Sequence, residues 1–384
     1  MNPYKIEPVK TAIVGCGAIS DIYFQNFTKR FRSIELVKCC SRGRKSAEAK
    51  AQQYGVSACT LEEVLADPAI EMVVNLTPAP QHEAIIRAAL EAGKHVYTEK
   101  VIAPDFRTAQ ALLDLAKSKG LSLCCEPDHF LGSAWQCARE YIDGGLLGEV
   151  SSISATNSSN MGGTAEHLRF VNEPAGGTGF DFGIYLMTQM VCILGPVERV
   201  CGVMQTRSPE RIHRDVCHGQ FGEAYRFANE DMVAASLLFK NGSAAVIHIN
   251  GNSIMEAPPQ FLIYGSNGVL SMPNPATFSG EMKLYRQGSF EPLPVVSAHG
   301  FDHDSRGVGA AEMAWSVRLG RKPKASAELG IHCLEALQGI RESGETGKWY
   351  EMTTTCDCPA PLPKGYRGLP GFSFDEEGSL VFAD

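Results

Sequence analysis

The stretch Val9-Lys10-Thr11-Ala12-Ile13-Val14-Gly15-Cys16-Gly17-Ala18-Ile19-Ser20 decides how the chain begins. Residues 11–14 form an apolar run of buried-strand character that stops at Gly15, and residues 18–27 continue with the composition of a helix. A strand turning this tightly into a helix makes a phosphate cradle. Gly15 permits the turn, Gly17 lets a pyrophosphate approach the backbone, and Ala18 and Ile19 open a helix whose first N–H groups and positive dipole end face an anion. Ser20 stands where the usual dinucleotide fingerprint has its third glycine.

Outward from this turn, strands alternate with helices. Strand character is predicted for residues 34–40, 71–76, 95–98 and 121–125, and helix for 45–54, 61–66, 80–92 and 105–120. This alternation implies right-handed crossovers and a doubly wound parallel sheet, an N-terminal Rossmann domain over residues 1–128. The strand ends then carry the chemistry. After Cys40 comes Ser41-Arg42-Gly43-Arg44-Lys45, with no acidic residue to meet a ribose 2′-hydroxyl. Ser41, Arg42 and Lys45 suit a 2′-phosphate instead, so NADP is favoured and NAD is the alternative. The third strand runs into Leu76-Thr77-Pro78 with His82 four residues on, at the edge where nucleotides sit. The next ends in Glu99-Lys100, and a lysine directly behind an apolar strand can hold a hydroxyl and stabilise charge developing on its oxygen.

Beyond residue 128 the pattern changes. An amphipathic helix at 133–143 is followed by strand-like runs at 150–156, 197–203, 232–240, 244–249, 260–264, 269–272 and 281–285, with Lys240-Asn241-Gly242-Ser243 as a hairpin turn. A second domain over 129–384 is therefore expected, built on a large, mainly antiparallel open sheet, with helices at 308–319 and 328–343 and an extended tail. The open sheet suggests a homo-oligomer.

A net charge of −8 among 384 residues, with no long basic run, argues against a nucleic-acid surface, and no membrane span or signal-peptide core is visible, so a cytoplasmic protein is expected. The thirteen cysteines sit mostly in apolar runs and read as reduced thiols. His299-Gly300-Phe301-Asp302-His303-Asp304 reads as a polar loop, and no metal is expected.

Together, the GCGAIS turn, Thr98-Glu99-Lys100 and the run Gly176-Gly177-Thr178-Gly179-Phe180-Asp181-Phe182-Gly183-Ile184-Tyr185 resemble the Gfo/Idh/MocA oxidoreductases over essentially the whole chain. The resemblance implies a nicotinamide cofactor in the first domain, a sugar, inositol or related polyol in the second, and Lys100 as the catalytic lysine. Proline usually follows that lysine in the family, where Val101 stands here. Most members carry histidine at the position of Tyr185; this chain is similar to a tyrosine-bearing subgroup typified by glucose-fructose oxidoreductase.

One helix is expected from about Phe180 to Leu194, with Asp181 and Tyr185 sharing a face. In the expected mechanism Lys100 favours the phenolate of Tyr185, Tyr185 takes the substrate proton as hydride leaves carbon, and Asp181 orients the sugar. Glu126, Asp128, His167 and Arg169 are further substrate candidates. The segment 126–132 and the run 304–319 resemble a subgroup of sugar-acting members, some of which oxidise the 3-hydroxyl of glucosides. A non-catalytic cofactor-binding regulator and a dihydrodiol- or inositol-type dehydrogenase are the alternatives.

Overall fold

Strand β1 (Val9–Val14) is buried almost throughout, with Ala12 and Ile13 wholly sequestered, because helices cover both faces of the sheet it centres. In the computed structural model, which describes residues 7–161, 169–217, 219–362, 372–374 and 380–382, β1 is followed by α1 (Ser20–Lys29), β2 (Ile34–Cys40), α2 (Arg44–Tyr54), β3 (Ser57–Ala58) and α3 (Leu61–Ala66). Then come β4 (Met72–Asn75), α4 (His82–Glu91), β5 (His95–Thr98), α5 (Phe106–Ser118) and β6 (Leu123–Cys125). The six strands are all parallel, in the order β3-β2-β1-β4-β5-β6. The order reverses between β1 and β4, and the crevice beyond their carboxyl ends is where this architecture takes ligands. Helix starts follow their local chemistry: α3 opens on a capping box between Thr60 and Glu63, and Asp105 caps α5 through the N–H groups of Arg107 and Thr108. The two-residue strand β3 gave no sequence signal, being too short for a period to show.

After α6 (Ser133–Asp143) the second sheet forms from β7 (Val150–Asn160), β8 (Val197–Gln205), β11 (Met232–Phe239), β12 (Ala244–Asn250), β13 (Asn252–Gly265), β14 (Gly268–Met272), β15 (Met282–Arg286), β16 (Leu293–Val295) and β17 (Tyr350–Glu351). A separate hairpin, β9 (Glu210–Ile212) with β10 (Ala224–Arg226), lies outside it. The nine strands run β16-β15-β14-β13-β7-β12-β11-β8-β17, and every pairing is antiparallel except β12 with β7. The Asn241-Gly242 turn joins β11 to β12 as expected, with Gly242 at φ +87°. Along β12, Ala245, Ile247 and Ile249 are buried while Val246 between them is half exposed, so one face is covered. The cover includes α7 (Thr178–Asp181) and α8 (Gly183–Leu194), and Gly183 lets α8 settle against Ile249.

The chain divides into two compact units, Met1–Cys137 with Ser297–Gly330 and Pro359–Asp384, and Ala138–Val296 with Ile331–Cys358. A single boundary after Asp128 does not capture this division, because α9 (Val308–Leu319) and the tail return to the first unit. Arg318 of α9 pairs with Glu71 at 2.6 Å, and Ser33 donates to the carbonyl of Ala311. Helix α10 (Ala327–Thr346) starts in the first unit and continues into the second. In the tail, β18 (Phe372–Phe374) pairs antiparallel with β19 (Leu380–Phe382). No helix among the described residues is long and apolar enough to cross a membrane, and no disulfide forms among the described cysteines.

Candidate active site

Gly15 sits at φ +107°, and a Cβ there would meet the backbone of Leu76 and Thr77 at 2.7–2.8 Å. The glycine is therefore needed for the turn after β1 to lie against the end of β4. Gly17 has open space around it, and Gly17, Ala18 and Ile19 are exposed. No side chain caps the N-terminus of α1. Open room beside an uncapped helix start is what a pyrophosphate requires, so these residues fit a dinucleotide. Ser20, in place of the third glycine, turns inward and donates to the carbonyl of Gly17 at 2.6 Å, which tightens the turn from within. At the end of β2, Arg42 and Lys45 are exposed and Ser41 half-buried, an arrangement that leaves the cations available to an anion.

The ends of β4 and β5 are stitched together. Asn75 donates to Thr98 and accepts from both the N–H and hydroxyl of Thr77, and the N–H of Glu99 donates to the carbonyl of Asn75. His82, expected beside the cofactor, is wholly buried instead. Its Nδ1 lies 2.6 Å from the carbonyl of Val101 and its Nε2 2.7 Å from that of Thr77. Burial lowers its pKa, against the pull of the two carbonyls. His82 thus ties the Thr77-Pro78 loop to the segment after Lys100, and acts by positioning both. Lys100 is half-buried behind β5, its peptide bond to Val101 is cis, and its N–H donates to Glu99.

Glu126 and Asp128, expected to face substrate, lie in the interior of the first unit at 3% and 0% exposure. The tyrosine hydroxyls of Tyr23 and Tyr97 reach Glu126 at 2.6 and 3.1 Å, and Tyr97 reaches Asp128 at 3.0 Å. The apolar run of β6 carries this loop inward, so both carboxylates lie in the interior. Their oxygens and a ring nitrogen of His129 come within 4.8 Å of one another, a spacing compatible with a cation. Hydroxyl and N–H donors are already directed at both Glu126 oxygens and at Asp128 Oδ2.

In the second unit the glycine run has a physical explanation that its sequence did not show. Glu230, 5% exposed, accepts from the N–H groups of Gly179 and Phe180 at 3.1 and 3.2 Å, and its own carbonyl accepts from Thr178. A Cβ at Gly177 would fall 2.3 Å from the Glu230 carboxyl carbon. The glycines make room for a buried carboxylate that holds the first N–H groups of α7. Arg341 donates to the other Glu230 oxygen at 3.0 Å, yet burial still raises the carboxyl's pKa. Glu230 lies fifty residues from the run it supports, and no local pattern points to it.

The single helix expected here is divided at Phe182, so Asp181 ends α7 and Tyr185 lies in the first turn of α8, both half-buried. The backbone of Arg169 opens a 3-10 turn, and His167 lies outside the described residues. Glu230→Ala is expected to destabilise the fold by about 2–4 kcal/mol, because it strands two buried N–H groups and the Arg341 partner. Glu230→Gln, which keeps the acceptor, is expected to cost much less. Denaturant titration of both variants distinguishes them.

These features define a protein with a dinucleotide-binding Rossmann unit and a second unit built on an open sheet. Residues 9–126 match the family model described as an oxidoreductase family with an NAD-binding Rossmann fold, and residues 135–271 match the GFO/IDH/MocA C-terminal domain. The chain belongs to the Gfo/Idh/MocA oxidoreductases.

It is 32% identical over 204 residues to an uncharacterized oxidoreductase of Schizosaccharomyces pombe, an alignment covering 52% of this chain and 55% of that protein; the chain thus spans about half the length of such curated relatives. It is 27% identical over 360 residues to D-glucoside 3-dehydrogenase of Escherichia coli strain K12, covering 90% and 98%. Levoglucosan dehydrogenase, solved in complex with NADH and L-sorbose, has the same fold, with a TM-score of 0.78 at 19% identity, covering 90% of this chain and 99% of that one.

Proposed function

We propose that this protein transfers hydride between a secondary hydroxyl of a sugar or glycoside and NADP, with the 3-hydroxyl of a glucoside as the first substrate to test. The observation that carries the proposal is Lys100, which stands at the carboxyl edge of the same parallel sheet as the open, uncapped start of α1, two strands away. The near full-length similarity to D-glucoside 3-dehydrogenase supports the substrate class, and the similarity to scyllo-inositol 2-dehydrogenase (NADP(+)) of Bacillus subtilis, 21% identical over 89% of this chain, adds inositols to the panel.

When bound, the nicotinamide supplies the hydride acceptor. Lys100 holds the substrate oxygen and stabilises its developing negative charge, Tyr185 receives the hydroxyl proton, and Asp181 hydrogen-bonds the neighbouring hydroxyl. The absence of an acid after β2 supports NADP, with Arg42 and Lys45 on the 2′-phosphate. The half-open face of the second sheet supports a homo-oligomer, which sedimentation will test.

A panel of D-glucosides, free sugars and inositols, offered with NADP or NAD and followed by nicotinamide absorbance, tests the activity. Silence across the panel with cofactor still bound would favour the regulator. Arg42→Ala is expected to weaken NADP binding about tenfold, an effect of ~1.4 kcal/mol, and to leave NAD binding unchanged. An equal loss for both nucleotides would remove the argument for NADP.

A further inference from the structure

Five oxygen atoms form a chain through the interior of the first unit. Glu99 Oε1 lies 2.9 Å from the Tyr23 hydroxyl, and that hydroxyl lies 2.6 Å from Glu126 Oε1. Glu126 Oε1 is 3.1 Å from the Tyr97 hydroxyl, which is 3.0 Å from Asp128 Oδ2. Four oxygen–oxygen contacts at these distances need four hydrogens, and the two phenols bring only two. With every carboxyl ionised, half of the contacts would set lone pair against lone pair in a region where Tyr23, Tyr97 and Asp128 are wholly buried. One carboxyl proton satisfies a third contact and two satisfy all four.

A second observation points the same way. Asp128 Oδ1, buried with the rest, has no hydrogen-bond donor, while its Oδ2 accepts from the N–H of Gly309 at 2.7 Å. An ionised Asp128 leaves a bare oxygen in the interior, so this carboxyl is built to receive a proton. The other end of the chain is different in kind. Glu99 is half-buried, precedes Lys100, and accepts the Lys100 N–H on its second oxygen.

We propose that Glu99, Tyr23, Glu126, Tyr97 and Asp128 form a proton wire that holds one proton on Glu126 at neutral pH and takes up a second at Glu99 when the reaction releases it. The uptake half rests on the dehydrogenase reading. In the oxidising direction the substrate hydroxyl gives up its proton, which Tyr185 receives. When that proton reaches Glu99, each hydrogen moves one place: Glu99 to Tyr23, Tyr23 to Glu126, Glu126 to Tyr97, Tyr97 to Asp128. Glu99 returns to carboxylate, Asp128 becomes the acid, and neither phenol changes charge.

The surroundings agree with this direction. Burial, with Asp128 and Glu99 nearby, holds the Glu126 carboxyl well above the usual range, and burial raises Asp128 to about 6. Tyr23 on α1 and Tyr97 on β5 are raised well above their ordinary value by burial and by these carboxylates, so they stay protonated. Burial keeps His129 neutral, assisted by the cations of Arg306 and Lys100. Arg306, before α9, is the cation that favours the ionised form of Asp128. The Cys125 thiol on β6 is held protonated by burial.

Infrared spectra of the full-length protein at neutral pH test the first half without any substrate. Wild type is expected to show a protonated-carboxyl stretch that disappears in Glu126→Gln and persists in Tyr23→Phe; its absence from wild type, or its survival in Glu126→Gln, overturns the proposal. The second half is read with whichever sugar of the panel wild type oxidises. Tyr23→Phe, which cuts Glu99 off from Glu126, is expected to lower kcat about tenfold with KM unchanged, to shift the pH profile of kcat and to raise its solvent deuterium isotope effect. Unchanged values for all three overturn the relay. A wild type that oxidises no sugar overturns the dehydrogenase reading and the relay with it, while the infrared band still decides whether the chain holds its proton.

Discussion

Lys100→Ala is expected to lower kcat for the best sugar of the panel by about 10²–10⁴-fold, the span that general acid–base groups contribute. Cofactor affinity should stay within a few-fold of wild type, because the open turn at Gly17–Ile19 and the cations after β2 are untouched. The magnitude follows from the position of the residue. Lys100 is half-buried at the end of β5, its N–H is held by Glu99, and His82 fixes the carbonyl of Val101 directly behind it. A backbone fixed on both sides limits how far the lysine must reorganise as charge develops on the substrate oxygen. Lys100→Arg keeps the charge but replaces a compact point charge with a wide planar fork that does not meet the substrate oxygen in the same place, so it should recover little activity. Tyr185→Phe should lower kcat by a comparable factor with binding retained. Turnover unchanged in both Lys100→Ala and Tyr185→Phe would show that neither residue handles the substrate proton.

Periodicity made the parallel sheet legible. Buried parallel strands are continuous apolar runs, and those at 34–40 and 95–98 could be read to the residue. The hairpin at Asn241-Gly242 was legible because its turn needs a positive φ that few residues adopt. Features that depend on distant chain segments were not. The break at Phe182 leaves no mark in an otherwise apolar helical run, and it is accompanied by Glu230 holding the first amides of α7 from fifty residues away. His82 looked like a polar residue at a helix start, yet Thr77 and Val101 enclose it and convert a candidate ligand contact into an internal tie. Glu126 and Asp128 show the largest gap between composition and role. Two carboxylates in a loop suggest a surface, and the tyrosines brought in by α1 and β5, with the N–H groups of Asp128 and Gly309, make their burial tolerable. The return of α9 to the first unit was invisible for the same reason, since its partners Glu71 and Ser33 lie more than two hundred residues earlier.

The two glycines of the first turn are expected to separate folding from cofactor binding. Gly15→Ala places a Cβ at φ +107° and within 2.7–2.8 Å of three backbone atoms of Leu76 and Thr77. Neither problem can be relieved by rotating a side chain. The atoms in the way belong to the end of β4, which is fixed by the Leu76 N–H donating to Val14 at 2.8 Å and by the bonds from Asn75 to Thr98 and Thr77. Backbone strain of about 1–3 kcal/mol adds to an overpacking cost of about the same size, so a loss of roughly 3–5 kcal/mol and a clear fall in Tm are expected, together with loss of nucleotide binding. Gly17→Ala meets nothing within 4 Å, so its Tm should match wild type. The space its methyl group enters is the space proposed for the pyrophosphate, and NADP affinity should fall at least tenfold while the fold is intact. Thermal unfolding and nucleotide titration of the two variants decide the matter: a Gly17→Ala protein with undiminished affinity would move the phosphate away from this turn, and a Gly15→Ala protein as stable as wild type would show that β4 yields where its hydrogen bonds say it cannot.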